Sequence, residues 1–473
     1  MPMFDTSLVY EKRNQVLPFF IAIIMSIAFS AIILKFEIVS IAMLFIICFS
    51  IFFFLSPKIS FLFILLIRPL LDVYWNSPML GFKNPLYLVG GLAVIFLMIF
   101  IVKEKFQFRN IPYANLVLLF LASQMFSFLI VVVTLPDARL GALDNLLRIF
   151  NAYLMFLALP FIFSTRKDIE RLINILLLAN VIPLGIIYYT WYSGDMGIFT
   201  DYFHGGKIDE PGALMEYRGV MRLSGIWQGT FNVAFYCLQI IFVGILKLRY
   251  LKNVLWRLGL LGYIALSIPP LFQTYLRAGW IMAFAGLGLW FILRKKIWYL
   301  FILLLGVIVL FWFSETARGR FADEVAFITG EGAFERIGSG RGTQWLQYID
   351  VYLYDFSFIE KLFGKIGAAG RPENQIIYLL INSGIFGLCS YLILMVGITK
   401  GLWKSFKRSI GVFDRDIALL ALVLHIAFIF AWIGGTPLLW INAQWVLCSL
   451  IGIVLYQNRF ILHPPHKLLQ RTE

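Results

Sequence analysis

The sequence is poor in charge and poor in the residues that hold metals or disulfides. Only 14% of its 473 residues are Asp, Glu, Lys or Arg, against about 25% in a soluble domain. It has four cysteines and four histidines. Cys48, Cys237, Cys389 and Cys448 all fall inside apolar runs, with no CxxC spacing, which argues against a disulfide framework or a zinc site. There is no HExxH and no Walker loop, so a metal- or nucleotide-dependent mechanism has little support, and no cofactor is expected. No internal repeat and no low-complexity tract is visible. No cleavable signal peptide is evident, because the first apolar run is long enough to remain as a span.

Apolar residues fill the space left by charge. They make up 61% of the chain, and the mean hydropathy is +0.85. A water-soluble fold of this composition would have more apolar surface than core to hide it in. The expected class is an all-α polytopic membrane protein. Runs long enough to span fall near 17–34, 38–55, 59–75, 85–102, 112–133, 149–163, 171–191, 231–248, 257–275, 278–293, 297–313, 375–398, 417–433 and 439–456. That is about 12–14 transmembrane helices, the lower figure holding if one close pair is re-entrant. The segments are then an N-terminal helical set (1–191), a first external loop (192–230), a central set (231–313), a large external loop (314–374), and a C-terminal set with a tail (375–473).

The net charge of +14 would suggest nucleic acid in a soluble protein, but here most Lys and Arg cluster at alternate span ends. That pattern satisfies the positive-inside rule with both termini inside, and no nucleic-acid partner is expected. Two long external loops break the pattern. They carry Lys207, Arg218, Arg222, Arg318, Arg320, Arg336, Arg341, Lys361, Lys365 and Arg371. Long loops translocate whatever their charge, which is the plain explanation; the functional one is an external anion site.

Individual residues divide the same way. Arg277, in Thr274-Tyr-Leu-Arg277-Ala-Gly279-Trp280, lies at a membrane boundary with no acid nearby in sequence. A guanidinium at that depth either snorkels to headgroups or finds an anion such as phosphate. Arg222, in Arg218-Gly-Val-Met-Arg222-Leu-Ser-Gly225, presents the same choice. Arg341 stands in Gly338-Ser-Gly340-Arg341-Gly-Thr-Gln-Trp345 and reads as an ordinary loop residue whose glycines would let backbone approach a ligand. Glu373 precedes a span, as a helix N-terminal acid or as a general base. Asn374 would cap that helix or orient a hydroxyl. His204, near Asp201, is a weak candidate for substrate contact. Arg68 and Asp72 read as an internal ion pair. His425 reads as an interhelical hydrogen-bonding residue, and Asp414-Arg415-Asp416 as charge balance in a basic inner loop.

These stretches resemble the O-antigen ligase and O-antigen polymerase superfamily of bacterial membrane glycosyltransferases. The resemblance covers about Arg218 to Gly387. It rests on Arg222 to Gly225 before a span, the turn Leu276-Arg277-Ala278-Gly279, Gly340-Arg341 to Trp345, and Glu373-Asn374 ahead of Gly384-Ile-Phe-Gly387. It implies a membrane glycosyltransferase (GT-C-like) fold in the bacterial inner membrane, with a large periplasmic loop roofing a cavity. The implied reaction is inverting, metal-independent transfer of a glycan from an undecaprenyl-diphosphate donor to an acceptor glycan or lipid. Arg222 and Arg277 would hold the diphosphate and Glu373 would activate the acceptor. Arg218, Arg341, Asn374, Trp345 and His204 would line the substrate. Chain-length regulator and flippase proteins are implied partners, besides membrane lipids. Many ligases carry His where this chain has Glu373, which tilts the expectation toward a polymerase of O-antigen, capsule or exopolysaccharide repeats. A ligase and a transporter or flippase are the rivals.

Overall fold

A computed structural model describes residues 53, 56–71, 86–103, 107–193, 214–217, 220–223, 230–334 and 337–459. The two expected spans at 17–34 and 38–55 lie outside that set but for Phe53. The described chain is helical apart from one two-stranded hairpin. Its first six helices are α1 (Pro57–Leu71), α2 (Leu86–Lys103), α3 (Ala114–Thr134), α4 (Arg139–Ile162), α5 (Arg166–Leu178) and α6 (Val181–Ser193). The hairpin follows, β1 (Leu214–Tyr217) with β2 (Val220–Leu223), its strands antiparallel with Met215 opposite Arg222. Next come α7 (Thr230–Leu248), α8 (Val254–Gln273), α9 (Arg277–Leu293) and α10 (Ile297–Phe313). Four short helices then occupy the expected loop at 314–374: α11 (Glu315–Arg320), α12 (Ala322–Ile328), α13 (Ile337–Asp350) and α14 (Phe358–Phe363). The chain closes with α15 (Gln375–Arg408), α16 (Val412–Phe430) and α17 (Ile441–Gln457).

Among the described residues, seven helical stretches are long and apolar enough to cross a membrane, and four shorter apolar helices accompany them. The chain is therefore a multi-pass membrane protein by length and composition of its helices. Its packing agrees. α4 and α17 form the heart: residues 151–160 of α4 are buried without a break, and Gly452 of α17 lies against the backbone of Phe156. At the rim the pattern inverts. In α10, Ile302 is 61% and Trp312 74% exposed, although the helix has no polar face. Apolar surface on that scale needs lipid to cover it.

Local chemistry sets the breaks. Asn253 caps α8 by accepting from the Leu255 and Trp256 amides at 2.8 and 3.3 Å. The expected span at 171–191 is interrupted at Asn180, because Pro183 has no N–H to continue the ladder. α15 runs for 34 residues but kinks at Gly384, whose φ of +64° only glycine adopts easily.

Ion pairs define the two ends of the bundle. At one end, Asp416 of α16 is fully buried and accepts from Arg249, Tyr250 and Arg294, tying α7, α9 and α16 together. Lys58 and Asp168 pair at 2.8 Å, joining α1 to α5. Asp416 thus balances charge as expected of the Asp414–Asp416 motif, but from inside α16 rather than from a loop. The opposite end carries α11–α14 and the turn between α8 and α9; it is called the loop-bearing end below.

Candidate functional site

Arg277 is the first residue of α9, at the loop-bearing end. Three features hold it there. Leu276 precedes the helix in extended conformation. Its amide donates to the Thr274 hydroxyl at 3.2 Å. Trp280, one turn on, is 2% exposed and donates its indole N–H to the Leu271 carbonyl at 3.3 Å. Arg277 itself is 8% exposed. Sequence reading found no acid for it; the structure supplies Glu324 of α12, 47 residues later, in a direct ion pair. Phe321, just before α12, packs on the Trp280 ring at 6.2 Å and docks that helix.

Arg341 and Glu373 also meet. Arg341 lies within α13, contrary to its reading as a loop residue, and pairs directly with Glu373. The glycine expected beside it is Gly340, at φ +89°. Trp345, one turn further along α13, is 7% exposed, with its indole N–H buried and unpartnered. Asn374 is the N-cap of α15 and accepts from the Ile376 and Ile377 amides at 3.0 and 3.2 Å, so its capping role is the one seen. Glu373 thus stands immediately before a helix N-terminus, where the macrodipole favours a carboxylate.

A glycine-lined loop fixes this segment. Gly364, Gly367 and Gly370 all have positive φ. A Cβ on Gly367 would fall 2.6 Å from the Gly141 carbonyl oxygen of α4. One on Gly364 would collide with the backbone of Ser383, beside the Gly384 kink. The close approach is held by hydrogen bonds. Lys365 N donates to Ile381 O at 3.0 Å, Gly367 N to Asn382 Oδ1 at 2.8 Å, and Ile366 N to Ser127 Oγ at 2.9 Å. The glycines of this loop and the Gly384–Gly387 stretch singled out in the sequence are one packing unit.

Nearby, Glu360 of α14 bonds Lys365 Nζ at 2.9 Å and completes a capping box with Ser357. Burial works to raise its pKa, but the hydrogen bonds from Lys365 and Ser357 outweigh burial and hold it below the usual carboxylate range.

No family model matches the chain, and a comparison with the curated proteins returns no match.

Other expected residues fall elsewhere. His204 and Arg218 lie outside the described residues; Arg222 is in β2, but its side chain is not described. Arg68 donates Nε–H to Asn442 Oδ1 at 2.7 Å and stacks over Trp445, while its expected partner Asp72 is outside the described set. His425 sits 3.0 Å from the Thr399 hydroxyl, linking α15 and α16 as anticipated. Sequence reading missed Glu324 and a further polar group at the same end. There Asp144 of α4 accepts from Arg148 at 2.8 Å and from Arg371 at 3.4 Å. The spacing of Asp144 and Arg148, four apart on a helix, was a readable signal for the first of these pairs.

Besides the Asp144 pairs, the loop-bearing end holds Arg277–Glu324 and Arg341–Glu373, each reaching from a short roofing helix to the end of a long one. Among the described residues, no group of three or more His, Cys, Asp or Glu stands together to hold a metal. Arg277 and Arg341 are cations at this end, and a guanidinium binds phosphate with the same paired geometry as a carboxylate.

Proposed function

We propose that this chain is a membrane glycosyltransferase with a GT-C-like fold that polymerises undecaprenyl-diphosphate-linked repeat units at the external face of the bacterial inner membrane. The observation that carries the reading is Arg277. It is a nearly buried cation at the loop-bearing end of the helical bundle, held by a carboxylate from the segment above it. A diphosphate competes with Glu324 for that guanidinium, and Arg222, at the base of α7, is the second cation proposed for it.

The chemistry follows from charge. Glu373 accepts the proton of an acceptor hydroxyl. The oxygen attacks the anomeric carbon, and the bond from that carbon to the diphosphate oxygen breaks. The diphosphate leaves with the bonding electrons, and configuration inverts. Negative charge grows on the leaving group, where fixed guanidiniums stabilise it. In the resting pair, Arg341 holds Glu373 in place; an arriving anion draws Arg341 away and frees the carboxylate to act as base.

The cellular test is glycan chain length in strains carrying Arg277→Ala, Arg222→Ala or Glu373→Ala. Loss of long chains with single repeats still attached supports a polymerase. Long glycan stranded on the lipid carrier points to a ligase instead. Normal polymer from all three variants, expressed at wild-type level, rules the reading out.

A further inference from the structure

The long helices expose apolar side chains at the rim of the bundle, but one apolar patch lies in the stretch read as an external loop. It is formed by a single π-helical turn, Val351–Asp355, and by α14. Tyr354 is 80% exposed, Phe358 76% and Ile359 59%. Large apolar side chains so close together are costly to leave in water. Their neighbours turn inward. Tyr352 and Phe356 are buried, with ring centroids 5.6 Å apart, so the segment has an inner face and an outer one.

The packing of α14 fixes its depth. Phe363, its last residue, meets the ring of Phe126 on α3 at 5.6 Å and that of Phe386 on α15 at 5.8 Å. Phe126 lies about 12 Å short of the end of α3 at Thr134, at the helical rise. Between that contact and that end, Leu129 and Val133 are exposed as well, Val133 by 78%. α3 is one of the helices long and apolar enough to cross a membrane, and its 21 residues match a hydrocarbon core about 30 Å thick. The next residue agrees. Gly364 packs on the backbone of Ser383 and Gly384, about 12–13 Å along α15 from its start at Gln375. α14 is therefore anchored below the level at which α3 still shows apolar side chains to lipid.

From this depth we infer that residues 351–363 form an interfacial element that dips into the leaflet on the loop-bearing side, with Tyr354, Phe358 and Ile359 against lipid. A ring with a polar tip suits the headgroup boundary, and Phe and Ile suit the acyl chains beneath it. Asp355 is exposed too, so the element straddles the boundary, as amphipathic interfacial segments do with their apolar faces about 5–10 Å deep. Polar groups of the segment are served from within it, as an apolar surrounding requires. Ser357 and Glu360 form a capping box. Lys361 Nζ donates to the Leu353 carbonyl at 2.7 Å, and the Tyr352 hydroxyl donates to the Lys361 carbonyl at 2.9 Å. Lys365 pairs with Glu360 and sits 4.6 Å over the Phe356 ring. The element's place in the bilayer does not rest on the transfer chemistry proposed above.

The test is spin-label accessibility, with the full chain in nanodiscs of phosphatidylethanolamine and phosphatidylglycerol. The background carries Cys48→Ser and Cys389→Ser, which leaves only the buried Cys237 and Cys448. A nitroxide is attached after Phe358→Cys, after Ile359→Cys or, as the aqueous control, after Glu331→Cys, an exposed acid in the turn after α12. Collision with oxygen, which concentrates among acyl chains, is compared with collision with a water-soluble nickel chelate. The oxygen-to-nickel ratio should be several-fold higher at 358 and 359 than at 331. A ratio equal to that at 331 places the patch in water and overturns the inference. Little collision with either agent means that protein, such as a second copy of the chain, covers the patch, and overturns it too. Both replaced side chains are exposed, so each labelled chain should elute from size exclusion like its parent. If one variant fails to fold, the other position alone decides the outcome.

Discussion

Arg277 and Glu324 form an ion pair across 47 residues of chain, joining the first turn of α9 to a short helix in the segment above it. The pair does two things at once. It neutralises a guanidinium that is 8% exposed, and it anchors α12 over the bundle.

Removing one partner separates those effects. Glu324→Ala removes the carboxylate of this ion pair and should destabilise the protein by about 3 kcal/mol, as breaking a buried pair does. Under the proposed function the same change removes the diphosphate's competitor, so added undecaprenyl diphosphate should raise the melting temperature more than in the wild type. Thermal denaturation with and without the lipid checks both. A variant that melts like the wild type, or gains nothing from the lipid, contradicts the assignment.

The other end of the bundle offers a control. Asp416 accepts from two arginines and Tyr250 with no exposure of its own. Asp416→Ala strands both cations and should cost about 3–5 kcal/mol. Its effect should be on melting temperature and expression, with the surviving folded fraction transferring glycan at the wild-type rate. Tyr250 stays protonated throughout, because burial raises its pKa and the hydrogen bond it gives Asp416 raises it further.

Gly384 and Gly364 should not tolerate a side chain. Gly384 has φ +64°, and an added Cβ would collide with the Leu362 carbonyl. Gly384→Ala combines backbone strain of about 1–2 kcal/mol with a clash that no rotamer relieves. The expected result is loss of folded protein, measured by size-exclusion profile in detergent. Gly91→Ala, where an added Cβ meets nothing within 4 Å, should behave as the wild type.

Glu360 predicts a pH dependence. Its folded pKa is depressed, so its contribution to stability is complete above the ordinary carboxylate range and is lost as pH falls through the folded value. Melting temperatures of wild type and Glu360→Gln should differ at neutral pH and converge in acid. A gap that persists or widens on acidification contradicts the Lys365–Glu360 assignment.

Span positions were legible where the apolar run was unbroken. The run at 112–133 became Ala114–Thr134, and 231–248 became Thr230–Leu248. The reading failed where polar residues sit inside helices. α4 begins at Arg139, ten residues before its apolar run at 149–163, because Asp144, Asn145 and Arg148 interrupt the hydrophobicity but not the hydrogen-bond ladder. α15 outruns 375–398 because its last turns, rich in Lys and Arg, need no lipid. The boundary position of Arg277 was visible in sequence; its partner was not, since nothing periodic links residues 277 and 324. The Arg341–Glu373 contact was hidden for the same reason, although both residues had been singled out separately.

The central claim is that Arg277 and Glu373 carry glycosyl transfer from a lipid-linked donor. The most direct measurement is single-turnover transfer by purified full-length protein in nanodiscs, using an undecaprenyl-diphosphate-linked repeat unit as donor and acceptor. The account predicts elongation by the wild type. It predicts a loss of at least about 100-fold in Arg277→Ala, from removal of a transition-state cation, and a similar loss in Glu373→Gln, from removal of the base. Wild-type rates in both variants, or no elongation by a folded wild type, would contradict it.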